Sequence, residues 1–389
     1  MTDSSPARGV RARLAQTLYA LLLVLAASAL TARAQSFSAP IHRDVGFNPY
    51  AVAVGDFNAD TRLDVAVANA VGDSVTIALG NGDGTFVSSI EYNTGDTPEG
   101  VAVGDFNKDG KLDVAVGNIF GGPSQAGTVS VLFGNGDGTA QAAVNYNVGT
   151  PQGLVAADLN SDGNLDLVTA STNSDKASVL LGNANGTFNA AVAYTVGTHP
   201  AGVAVADYNN DGKLDMVTAN FDGFSLSILL GNGDGTFQAA TNLTTSPSMN
   251  RPGPLTAADL NADGKMDLVV PSAGEQLVGV LLGNGNGTFQ SPVTYPTTAD
   301  VYFPQTADFN DDGKLDVALT NVSGPASVSV LRGNGDGTLQ APLSFPTQNS
   351  VWGLLATDLN KDGKPDLITT NQTIGRINVL LNSPSARGT

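Results

Sequence analysis

One nine-residue string, Asp-x-Asn-x-Asp-Gly-x-x-Asp, occurs seven times, beginning at Asp56, Asp105, Asp158, Asp207, Asp259, Asp308 and Asp358. The steps between copies are 49, 53, 49, 52, 49 and 50 residues. A period this regular restricts the chain to architectures in which one supersecondary unit is stacked or arrayed on copies of itself. A second string, Gly-Asn-Gly-Asp/Asn-Gly-Thr, follows each of the first six, from Gly80, Gly134, Gly182, Gly231, Gly283 and Gly333, with Ala184 in place of Gly in the third copy.

The segments between these strings read as strands. In the second unit, residues 101–104 (A) precede the Asp string and 113–116 (B) close it. Residues 129–133 (C) follow with the alternation of a half-buried strand, and 141–146 (D) follow the Gly-rich turn. No window sustains a helical period, and Gly or Pro interrupts every candidate. Four strands per roughly 50 residues, repeated seven times, predict an all-β, seven-bladed β-propeller with four-stranded antiparallel blades. The seventh unit has A (353–357), B (366–370) and C (377–381) but no D. Residues 36–41 resemble 288–293, the start of D in unit five. Residues 36–45 are therefore expected to complete the last blade and close the ring, which removes both free sheet edges. The propeller is expected to occupy residues 35–382, with a tail at 383–389.

The first 34 residues are set apart. Arg8, Arg11 and Arg13 precede an apolar run of 13 residues, 18–30, and Ala32-Arg33-Ala34 forms a small-x-small site before Gln35. This is the pattern of a secretory signal peptide, and the run is short for a membrane span. A secreted, periplasmic or extracellular location is expected, with no membrane span and a monomeric state.

Composition sharpens the reading. There is no Cys, which excludes disulfides, thiol nucleophiles and Cys-ligated metals. The formal charge of −18 argues against nucleic acid as a partner. Of the 36 acidic residues only Glu91, Glu99 and Glu275 are Glu. Asp is the turn-compatible carboxylate, so its dominance points to the repeated loops. Loss of the leader removes four Arg and Asp3, leaving 14 basic and 35 acidic residues and a formal charge of −21.

The Asp string places oxygen donors at positions 1, 3, 5 and 9, with a backbone carbonyl at 7 and Gly at 6 for the sharp turn. The donor sets are Asp56, Asn58, Asp60 and Asp64; Asp105, Asn107, Asp109 and Asp113; Asp158, Asn160, Asp162 and Asp166; Asp207, Asn209, Asp211 and Asp215; Asp259, Asn261, Asp263 and Asp267; Asp308, Asn310, Asp312 and Asp316; and Asp358, Asn360, Asp362 and Asp366. A hard, all-oxygen set suits Ca²⁺. Like charges so close in sequence repel unless a cation screens them. Six or seven ions are expected. The first loop is the doubtful one, because β-branched Thr61 stands at the Gly place. The Gly-rich strings read as tight C–D hairpins rather than a second cation site.

These loops between strands resemble the FG-GAP (or VCBS-type) repeats of secreted bacterial proteins. They also resemble the seven-bladed propeller of integrin α subunits and a fungal lectin propeller of similar blades. The resemblance covers about 36–382. It implies calcium in the A–B loops, chiefly structural, and a protein or glycan as partner.

An up-and-down blade puts A–B and C–D turns on one face, and B–C and D–A connections on the other. The second face varies between units, and variable loops on a rigid scaffold commonly carry recognition. The residue before strand A varies between units: Tyr50, Glu99, Gln152, Ala201, Gly253, Tyr302 and Trp352. Phe120, Phe221 and Phe224 lie in B–C segments. The aromatic residues either bind a ligand, by stacking on sugars or anchoring a protein, or plug the channel and fill gaps between blades. On the binding reading, Trp352→Ala weakens binding and leaves thermal stability nearly intact. The leading expectation is a secreted calcium-stabilised interaction or adhesion module; a lectin and a calcium-dependent polysaccharide-active enzyme are the alternatives. The sequence carries no nucleophile elbow. His42 and His199 read as incidental, and Arg251 and Tyr302 are the only base candidates on the variable face.

Overall fold

The computed structural model of the chain describes residues 35–121, 126–348 and 350–384. The leader, part of the second B–C connection and the end of the expected tail lie outside them.

Seven four-stranded antiparallel sheets form the blades, each in simple sequence order. In the first blade the strands are A, Pro49–Gly55; B, Asp64–Asn69; C, Ser74–Gly80; and D, Phe86–Asn93. Burial follows position in the blade. B and C strands are almost wholly buried, as in Asp166–Ser171 and Ser225–Leu229, whereas D strands such as Val192–Thr195 are largely exposed. B strands accordingly read as near-continuous apolar runs, whereas C strands, expected to be half-buried from their alternation, are buried on both faces with Ser130, Ser178 and Ser227 inside. A strands line the channel and pack on the A strands of both neighbours. Among the described residues the only helical element is a 3₁₀ turn at Thr172–Ser174. No helix among them is long and apolar enough to cross a membrane.

The ring closes as expected, with one refinement. Strand Ile41–Asp44 is the D strand of the last blade, paired with Arg376–Leu380 from Ile41↔Val379 to Asp44↔Arg376. His42 Nδ1 meets Asn378 Oδ1 at 2.9 Å there, which accounts for one of the two histidines. Residues before it do not continue this strand. Gln35–Phe37 instead pairs with Asn382–Pro384 as a separate two-stranded ribbon. Val52 and Val65 of the first blade share a core cluster with Leu359, Ile368 and Ile377 of the last. The closing seam is therefore packed like the other blade junctions.

Two contacts join neighbouring blades in a way the sequence pattern did not signal. The Tyr92 hydroxyl of one D strand accepts from Ala140 N of the next blade at 2.8 Å, and Tyr194 accepts from Phe237 N at 3.3 Å. The ring of Tyr194 also packs edge-on against Phe237, with centroids 5.5 Å apart.

Candidate metal loops and the channel mouth

The seven Asp loops share one hydrogen-bond plan at positions 1 and 5; the Asn at position 3 departs from it in the sixth, where Asn310 Nδ2 donates to Asp316 at 3.3 Å and its oxygen has no partner. In the second, Asp105 takes the N–H of Asp109 on one oxygen (3.1 Å) and that of Gly110 on the other (2.8 Å). Asn107 Oδ1 accepts from Asp109 N at 2.9 Å, and Asp109 from Lys111 N at 3.0 Å. The Gly at position 6 has φ near +80° in six copies, and Thr61 adopts φ +72° in the first. The Thr therefore does not change the loop's path; it holds a conformation that favours Gly. Position 4 is also left-handed in all seven loops, from Ala59 to Lys361, although only ordinary residues stand there.

Position 9 has an architectural role. Asp113 is fully buried, and its carboxylate accepts from Phe106 N at 2.9 Å and from Gly134 N at 2.8 Å. It thus ties the start of the loop to the end of strand C. The same pair of bonds recurs around Asp64, Asp166, Asp215, Asp267 and Asp316. In the last blade Asn382 N takes the place of the Gly N–H. The Gly that opens each hairpin string is required by this closeness. A Cβ at Gly134 would lie 2.1 Å from the carbonyl oxygen of Leu112.

All seven position-9 carboxyls are pushed above the usual carboxylate range, first by burial and then by repulsion from the Asp residues at positions 5 and 1. Asp113, Asp316 and Asp366 reach about 6. The exposed position-5 residues pair weakly with their own position-7 bases, as Lys265 with Asp263 at 3.2 Å. Among the described residues no three His, Asp or Glu side chains are gathered at metal-binding geometry. The donor chemistry nevertheless fits a hard cation: three carboxylates, an Asn oxygen and a backbone carbonyl, with mutual repulsion that a cation would relieve. The Gly-rich strings are closed hairpins. In the first, Asp83 Oδ1 accepts from both Thr85 N–H (2.9 Å) and Thr85 O–H (2.6 Å).

The opposite face carries the varied ring. Its seven residues are not before strand A but second within it or its equivalent. A β-bulge at that entry shifts the register, as between Pro49 and Ala51, Pro98 and Gly100, and Pro200 and Gly202. The extra residue is aimed into the channel. Around the ring, aromatic residues stand in blades one, six and seven, polar ones in two and three, and Ala201 and Gly253 in four and five.

Tyr50, Tyr302 and Trp352 form one cluster. Trp352 stacks on Tyr302 with centroids 5.4 Å apart and packs on Tyr50 at 5.5 Å. Phe303, at φ +48°, joins from the sixth blade; its role was not visible in the sequence. Tyr50 is only 8% exposed. These rings pack on one another at one side of the channel mouth, so truncation of Trp352 would cost packing as well as any contact to a ligand. The expectation that Trp352→Ala spares stability is corrected accordingly. Beside this cluster, Gln152 Nε2 donates to the Tyr50 hydroxyl and to Glu99, each at 3.2 Å. Burial raises the Glu99 carboxyl, opposed in part by hydrogen bonds from Gln152 and Tyr50. Gln152 Oε1 is buried without a partner. A cavity of about 210 Å³ opens here, lined by Tyr50, Glu99, Gln152, Ala201, Phe303 and Gln305 among others.

The other aromatic candidates do not join this cluster. Phe120 and Phe224 are 39% and 40% exposed. Phe221 lies between His199 (centroids 5.5 Å apart) and Arg251, whose guanidinium sits 5.5 Å from the ring centre. His199 Nδ1 meets Asp222 at 2.9 Å.

A propeller of seven such blades, with an Asp loop closing every A–B turn, defines a class of repeat protein. The FG-GAP-like repeat model matches residues 56–116, 158–218, 207–270 and 308–369, more than half of the chain. The chain belongs to that family. Two solved structures share the fold. One is a lectin of Agrocybe aegerita, described as recognising non-reducing terminal N-acetylglucosamine; it is 20% identical, with a TM-score of 0.55 over 77% of this chain and 81% of that one. The other is a protein of unknown function from Desulfotomaculum acetoxidans, 12% identical, with a TM-score of 0.55 over 78% and 91%. No curated protein matches the chain.

Proposed function

We propose that the protein is an exported, calcium-stabilised binding module, with ions on one face of the propeller and recognition on the other. The observation that carries this reading is the division of labour between the faces. The seven carboxylate loops repeat the same Asp hydrogen bonds on the A–B face. The ring at the other end of the channel varies from blade to blade, with six residue types at seven places. The leader-like first 34 residues support export. In this reading Asp105, Asn107, Asp109, Asp113 and the carbonyl of residue 111, with their counterparts in each blade, hold the ion. The ion neutralises the loop and fixes the blade edge. Partners of the calcium-loaded protein, captured from its native surroundings and identified by mass spectrometry, test it. Capture that is lost after substitutions at the mouth, and kept after substitutions in the hairpin turns, supports the module. Capture indifferent to the mouth contradicts it.

A second reading, that the ligand is a glycan, is favoured by the mixed aromatic and polar character of the mouth. The lectin with the same fold adds support at the level of the scaffold only. A glycan array with and without EGTA separates the two: calcium-dependent signals favour the glycan, and a blank array leaves the protein partner.

A further inference from the structure

We propose that the channel mouth binds a single neutral sugar ring in the cavity between Glu99, Gln152 and Ala201. This rests on the reading of the mouth face as the recognition face. Size comes first. At about 210 Å³ the cavity falls below the roughly 300–1,000 Å³ of drug-sized sites, which suits one ring and not a longer chain. It is part of the central channel, walled by the strand-A segments of all seven blades, with small Ala201 on one side leaving room beside Glu99 and Gln152.

Polarity selects the occupant. The free hydrogen-bonding capacity is acceptor capacity. Gln152 Oε1 is buried with no partner, and the Glu99 carboxylate lies 3.2 Å from the Gln152 amide with lone pairs to spare. Buried acceptors call for a ligand rich in donors, and adjacent sugar hydroxyls supply several on one edge. The rings of Tyr50 and Phe303 also line the cavity, and the C–H face of a sugar packs against such rings. No Lys, Arg or His lines the cavity, and Glu99 repels a carboxylate, so an acidic sugar is excluded. The walls are not the open aromatic cage that suits a quaternary ammonium. Trp352 is covered by Tyr302, and neither ring lines the cavity.

The test is saturation-transfer NMR on the calcium-loaded protein, with the methyl glycosides of glucose, galactose, mannose and N-acetylglucosamine, and methyl glucuronide as the charged control. Transfer to at least one neutral glycoside and none to the glucuronide is expected. Ala201→Leu, which fills the cavity, and Glu99→Gln, which keeps its shape, should each weaken binding tenfold or more, with melting curves showing that both variants fold. Transfer to none of the neutral glycosides, or transfer unchanged in both variants, overturns the proposal. A natural partner captured by the wild type but not by Ala201→Leu, with every glycoside silent, would defeat the sugar and leave the binding module standing. Loss of neither partner nor glycoside at the mouth would defeat both.

Discussion

Thr61 shows how far a single residue can depart from a repeated plan. It holds φ +72° where six Gly residues hold about +80°. In the Gly copies such as Gly110 and Gly212, a Cβ would meet nothing within 4 Å, so the penalty at Thr61 is conformational and not steric crowding. A left-handed β-branched residue costs on the order of 1–2 kcal/mol. Thr61→Gly should therefore raise stability by about 1 kcal/mol, read by urea unfolding, although Gly adds freedom to the unfolded chain. A loss of stability would show that Thr61 makes a compensating contact, for which the Lys361 ammonium 3.2 Å from its hydroxyl is the candidate. The two acids Asp211 and Asp215 separate ligation from architecture. Asp215→Ala orphans the buried N–H groups of Tyr208 and Gly231, each costing about 1–3 kcal/mol, and should destabilise the protein even in EGTA. Asp211→Ala should matter only when calcium is present. Equal effects in EGTA would contradict that division. Spacing alone marked both as ligands. The architectural role was not legible, because nothing in the string says that position 9 faces inward.

Elements were read more securely than their ends. Strand B announces itself as an apolar run because it is buried on both faces, strand C hid its second buried face behind alternating Ser and Thr, and the Asp and Gly-rich strings mark the boundaries of both. Strand A was placed two or three residues late because of the entry bulge. A bulge leaves little trace in composition, though the Pro that opens five of the seven segments (Pro49, Pro98, Pro151, Pro200 and Pro252) was an available signal. The outcome matters for the site, since the bulge turns Tyr50, Glu99 and Ala201 into the mouth. The D strands are short and exposed, so their pattern is weak. Their inward aromatic residue is the informative one. Tyr194→Phe removes the bond to Phe237 N while keeping the ring contact, and should cost about 1 kcal/mol in equilibrium unfolding. No measurable change would mean that the ring alone joins these blades.

At the scale of the whole molecule, the arrangement predicts an exchange between stability and binding at the mouth. The Glu99 carboxyl is raised by burial, so the folded state holds its proton more tightly than the unfolded chain does. Its contribution to stability is present below the ordinary Glu value and is lost as pH rises through the raised one. Glu99→Gln should accordingly melt higher than the wild type at pH 8, with the gap closing toward pH 4. The same substitution should weaken ligand binding, as expected of a site that stores unfavourable burial for recognition. A gap independent of pH would contradict the assignment to the Glu99 proton. The charge of the chain is also a property of the whole. Twenty-one of its 36 acids stand at positions 1, 5 and 9 of the seven loops, and Asp311 adds one more there, so the acidity belongs to one face. Seven divalent cations would bring the mature chain from −21 to −7, and six to −9.

The central claim is that calcium holds the ring together from that face. It is tested most directly by thermal unfolding of the mature protein, calcium-loaded and again in excess EGTA, with the bound metal counted in each sample. Ions bound only by the folded state stabilise it by RT ln(1 + [L]/Kd) each. Six or seven ions should therefore give a large fall in Tm on chelation, reversed by added Ca²⁺. A demonstrably metal-free protein with an unchanged melting curve would contradict the account.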